Sequence, residues 1–114
     1  MAAVESPDVG YRPALSLDLI ESGALSNIQL EAVVYAGQAH QEMLPAAEGA
    51  KQYRRGFMIG DGTGVGKGRE IAGIILDNWN QGRHKAVWIS ENQKLFADAK
   101  RDWAALGQDK KKIF

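Results

Sequence analysis

The chain has 114 residues, 45% of them apolar and 25% charged, enough for one modest hydrophobic core and too few for two. That balance excludes a disordered tail, and the lack of any cysteine excludes disulfides, thiolate zinc sites and a cysteine nucleophile. The net charge of zero divides into one base against seven acids in residues 1–50 and 13 bases against seven acids in residues 51–114. This suits either an anionic ligand on the second half or attraction between the halves.

Residues 1–15 contain Pro7, Gly10 and Pro13 and no helical or alternating period, which predicts an irregular leading segment ahead of one domain over 16–114. A short helix is expected from Ser16 through Leu17, Leu19 and Ile20 to about Gly23. A second begins at Ser26, where Gln29 three residues on completes a capping box ahead of Leu30, Val33 and Val34; it should reach about Met43. Residues 45–52 read as a connection. The run 55–59, short, apolar and ending in glycine, has the pattern of a strand buried on both faces of a parallel sheet. After a glycine loop, Ile71, Ala72, Ile74, Ile75 and Trp79 recur at helical spacing, with Gly82, Arg83 and His84 at the exit. A second buried strand is expected at 86–89. It leads through Ser90, Glu91 and Asn92 into a helix whose Leu95, Phe96, Ala99, Trp103 and Leu106 share one face, with Gly107 as its stop. Strand, helix, strand, helix implies an α/β fold with a parallel sheet and flanking helices, of which this chain holds an incomplete part.

No apolar run approaches the ~18 residues of a bilayer span, and no basic-then-apolar signal opens the chain. No membrane partner is expected, and a cytoplasmic, reducing setting fits the absence of cysteine.

The chemistry concentrates in Gly60, Asp61, Gly62, Thr63, Gly64, Val65, Gly66, Lys67 and Gly68, with glycine at every second position. A chain that wraps a polyphosphate turns its backbone N–H groups inward, which favours glycine, and aims a helix N-terminus at the negative charge. Lys67 adds a point charge at the outer phosphates. The spacing ends as GxxxxGK[ST] does at Gly66 and Lys67, but starts with Asp61 and closes on Gly68 in place of a hydroxyl residue. Magnesium would then be held through water or by Thr63. The dinucleotide pattern GxGxxG fits in no register, because Val65, Lys67 and Arg69 stand where its last glycine is needed. The bland alternative is a flexible surface loop with a chance lysine; its place between an apolar run and an amphipathic helix argues against that.

The stretch from Gly60 through Gly68 and Arg69, continuing Ile71, Ala72, Gly73, Ile74 and Ile75, closely resembles the nucleotide-binding loop of the strawberry notch family, helicase-like P-loop proteins of superfamily 2. The resemblance extends upstream to Leu25, Ser26, Gln29, Leu30, Glu31 and Ala32, and downstream to 86–90 with Asp98, Ala99, Arg101 and Asp102. It implies a RecA-like domain that binds ATP and Mg2+ and couples turnover to nucleic acid, DNA foremost, with Lys67 catalytic and Arg69 at the nucleotide. It also implies partners in the remainder of the ATPase domain and a second RecA-like lobe, since no hydrophobic strand ending in Asp-Glu occurs here. The chain alone is expected to bind nucleotide at best. By the same resemblance Gln29 would read adenine, and Ser90, Glu91 and Asn92 would touch the nucleic-acid backbone. Their plainer roles are the capping box and a helix entrance capped by Ser90 or Asn92. His40 and His84 have no partner at metal-ligand spacing, and Trp79, Trp88 and Trp103 fall on core faces. Two rival functions stay open: a nucleotide-dependent switch or scaffold, and a P-loop phosphotransferase acting on a small molecule.

Overall fold

The computed structural model describes residues 10–60, 66–91 and 93–108. The expected roles of Asp61, Gly62, Thr63, Gly64, Val65 and Asn92, and the start of the leading segment, lie outside the described residues.

Local signals set the first two helices. Helix α1 (Leu17–Glu21) is capped by Ser16, whose Oγ accepts from the Leu19 N–H at 3.1 Å. Helix α2 (Asn27–His40) opens on the full capping box: Ser26 Oγ accepts from Gln29 N at 3.2 Å, and Gln29 Oε1 accepts from Ser26 N at 2.9 Å. It stops short of Met43. Its buried face is Ala32, Val33, Ala36, Gly37 and Ala39, small residues that allow a neighbouring backbone to come close.

Helix α3 (Lys67–Asn80) is the centre of the molecule and packs against both α2 and α4 (Lys94–Ala105). Gly73 is the point of approach to α2, since a Cβ there would lie 2.8 Å from Val33 Cγ2. Leu15, Leu25, Val33, Ala72, Leu76, Trp103 and Leu106 form the core. Trp103 is wholly buried and contributes the largest apolar area a single side chain can. Trp79 meets it edge-on at 6.0 Å and stacks on His84 at 4.3 Å, while Trp88 packs against the same core from its margin.

The expected α/β, RecA-like parallel sheet is corrected by the structure. The described residues form helices and no strand; their one β-bridge is an isolated antiparallel pair, Met43 with Arg54. The runs 55–59 and 86–89 carry no ladder, and Met58, Val87 and Ile89 are 87%, 87% and 88% exposed. An apolar run becomes a buried strand only when neighbours take its N–H and C=O groups and layers cover both faces. Among the described residues the bonding stops at the isolated bridge, where the Glu42 carbonyl accepts from the Arg55 N–H at 2.9 Å, and the apolar faces of the helices are spent on one another. Leu95 and Phe96, expected in the core, are also 41% and 47% exposed, because α4 buries only the Ala99, Trp103 and Leu106 end of its stripe. Among the described residues, no helix is long and apolar enough to cross a membrane.

Candidate functional site

Helix α3 starts where the glycine loop ends. Gly66 is its N-cap, with φ 83° and ψ 55°, and no side chain caps the first turn. An L-residue rarely adopts that left-handed backbone, which glycine takes without strain. Lys67 is the first helical residue and is exposed. Early N–H groups of a helix have no intrahelical acceptor, and its dipole is positive there. A glycine-capped start with an exposed lysine therefore fits a phosphate.

Gln29 ties this point to α2. While its Oε1 serves the capping box, its Nε2 donates to the Gly66 carbonyl at 3.4 Å. A Cβ on Gly66 would meet that nitrogen at 2.5 Å. Both ends of the amide thus act within the chain.

Gly68 and Arg69 face α4. A Cβ at residue 68 would lie 3.3 Å from Asp102 Cγ and far inside contact distance of Asp102 Oδ2. Asp102 Oδ1 accepts from Arg69 Nε at 3.3 Å, and Arg69 Nη1 donates to the Ala24 carbonyl at 2.8 Å. Arg69, expected at the nucleotide, is held in the fold by α4 and the α1–α2 connection. Glu70, in the same first turn, is fully buried.

A groove of about 490 Å³ opens beside this turn, lined in part by Gly66, Gly68, Trp88, Ser90, Glu91 and Asp102. It unites the end of the glycine loop with two of the three residues expected at nucleic acid. Asp98 and Arg101, also on its wall, pair at 3.2 Å. Gly60 lies apart, on a cavity of about 210 Å³ with Ile28, Tyr35 and Phe57. Ser90 does not cap α4, whose N-cap is Gln93 without a side-chain bond. Sequence reasoning missed Asp102 as a neighbour of Gly68; its signal was the Asp98 and Asp102 pair, four apart on one face of α4.

No group of three or more His, Asp or Glu side chains able to hold a metal gathers among the described residues. His40 is the last residue of α2. Burial and the nearby Arg54 guanidinium hold its imidazole below the ordinary value, against a smaller opposing pull from Asp77.

The family model for P-loop containing NTP hydrolase pore-1 matches residues 1–114. Protein strawberry notch of Drosophila melanogaster is 50% identical over 107 residues, covering 94% of this chain and 6% of that protein. Human strawberry notch homolog 2 is 50% identical over 102 residues, 90% of this chain and 7% of that protein. Protein FORGETTER 1 of Arabidopsis thaliana is 47% identical over 107 residues, with 94% and 8% covered. The chain therefore spans less than a tenth of each of these relatives. No solved structure matches it.

Proposed function

The chain belongs to the strawberry notch family of P-loop NTP hydrolases, and on that premise we propose that it grips the phosphates of ATP in a longer helicase-like protein. The supporting observation is the glycine-capped start of α3, with Lys67 exposed as its first residue. In this reading the N–H groups of the first turn hold the β- and γ-phosphates and Lys67 neutralises the outer charge. Both act by positioning and electrostatics, the two terms on which phosphoryl transfer depends. Bound magnesium would supply positive charge to offset what develops on the phosphates. Gln29 acts as a positioning residue that holds the Gly66 carbonyl.

Coupling to nucleic acid is assigned to the groove beside the phosphate turn, where Ser90 and Glu91 stand close to the same helix start. The acidic pair that orients the attacking water and the arginines of the transition state are assigned to other parts of the longer protein, in keeping with relatives of which this chain spans 6 to 8%. Lys67→Ala in the full-length parent tests the reading. Nucleotide binding should be abolished with the melting temperature unchanged, since Lys67 is exposed. Unaltered affinity would show that the loop does not hold phosphate.

A further inference from the structure

We infer that Asp102 supplies the oxygen that Gly68 cannot, acting as a carboxylate ligand to the divalent cation carried by a bound nucleotide. The inference rests on the phosphate-site reading above.

Position 68 follows the phosphate lysine, where P-loops place a serine or threonine hydroxyl on magnesium. Here the residue is glycine, at a helical position where glycine costs about 1 kcal/mol relative to alanine. The structure shows what fills the space. Asp102 Oδ2 occupies the volume of a residue-68 side chain, so close that a Cβ there is excluded. A carboxylate oxygen, delivered from α4, therefore lies against the point from which a residue-68 hydroxyl would extend. The two carboxylate oxygens divide their work, with Oδ1 on Arg69 Nε at 3.3 Å and Oδ2 over residue 68. Arg69 is itself anchored on the Ala24 carbonyl, so the carboxylate is fixed in place.

The surroundings fit that role. Asp102 and Gly68 both line the groove of about 490 Å³, which leaves room for a hydrated cation. Magnesium on a nucleotide keeps several waters and takes one or two carboxylates beside the phosphates, so a full protein cage is not needed. The charges agree with it: Arg69 offsets part of the Asp102 charge, and a cation between Asp102 and a triphosphate at the start of α3 would offset the rest.

The test uses the full-length parent, with Mn2+ as a spectroscopic probe for magnesium and ATP affinity measured with and without metal. Asp102→Asn should bind metal-free ATP at least as tightly as the parent, because a repelling charge is gone. Its paramagnetic-resonance Mn2+ affinity in the ternary complex should fall by about tenfold or more. Arg69→Ala, which breaks the clamp and keeps the carboxylate, should retain most of the Mn2+ affinity. Gly68→Ser combined with Asp102→Ala should restore it, since the hydroxyl returns as the carboxylate leaves. This pair also carries the test should Asp102→Asn prove unstable in thermal unfolding. Unchanged Mn2+ affinity in Asp102→Asn, an equal loss in Arg69→Ala, or no recovery in the double variant would each overturn the inference. Loss of Mn2+ on Thr63→Val, with Asp102→Asn silent, would give the role to Thr63. Failure of the phosphate-site reading shows separately, as a Lys67→Ala protein that still binds metal-free ATP.

Discussion

The Tyr11 hydroxyl donates to Asp77 Oδ2 at 2.5 Å, joining the leading segment to α3 across 66 positions. Asp77 is 1% exposed, and its other oxygen accepts from Ala14 N at 2.6 Å and Gln81 Nε2 at 2.8 Å. Tyr11→Phe leaves a buried carboxylate short of one donor. The expected cost is about 1 to 3 kcal/mol in the urea unfolding free energy. An unchanged midpoint would mean that the Tyr11 hydroxyl adds nothing to the stability of α3.

Gly37 gives a prediction whose sign reverses with context. A Cβ at Gly37 would lie 2.6 Å from Tyr11 Cζ, inside the ring's own space. Gly37→Ala should therefore destabilise by about 1 to 3 kcal/mol through overpacking, despite the better helix propensity of alanine. In a Tyr11→Ala background the same change should stabilise, by up to about 1 kcal/mol. A double-mutant cycle by chemical denaturation measures the coupling, and additive effects would refute it.

Gly66→Ala places a Cβ on a left-handed backbone and against Gln29 Nε2. It should cost about 1 to 2 kcal/mol of stability from the backbone alone. Nucleotide affinity of the longer protein should fall with it, because the first turn of α3 must shift. Thermal unfolding and equilibrium binding on the same sample check both.

Gln29→Glu and Gln29→Ala separate the two ends of that side chain. Glutamate keeps the bond with Ser26 N but replaces the donor to the Gly66 carbonyl with an acceptor. Alanine should cost up to about 1 kcal/mol of stability through loss of the cap. If Gln29 only positions Gly66, both changes weaken ATP and GTP binding alike. A narrowed preference for ATP in Gln29→Glu, by roughly 1 to 3 kcal/mol, would instead show that the amide reads the base.

Two groups predict opposite pH limbs. His40 is lowered from 6.5, first by burial and then by Arg54. The unfolded chain therefore binds its proton more readily. This contribution to stability is complete above 6.5 and is lost as pH falls through the folded value. Tyr11 is raised from 10.0, first by burial and then by its bond to Asp77; its contribution is complete below 10.0 and lost as pH rises through the folded value. Melting temperature should drop on both sides, with His40→Gln flattening the acid limb and Tyr11→Phe the alkaline one. Limbs that survive these changes would assign the titration elsewhere.

What the sequence determined by itself is local. Ser16 caps α1, Ser26 and Gln29 close a capping box on α2, and the apolar period after the glycine loop becomes α3, because each depends on residues three or four apart. The start of α3 at Lys67, directly after a glycine N-cap, was legible for the same reason. Only the tertiary structure decided the fate of 55–59 and 86–89, since a strand exists through partners and an apolar run cannot announce whether they are present. It also decided which side chains surround the helix start: Asp102 against Gly68, Arg69 drawn to α4, and Tyr11 on Asp77. These pairs lie 33 to 66 positions apart. Their meeting is set by how α2, α3 and α4 bury their apolar faces on one another, a relation between elements that no short window of sequence contains.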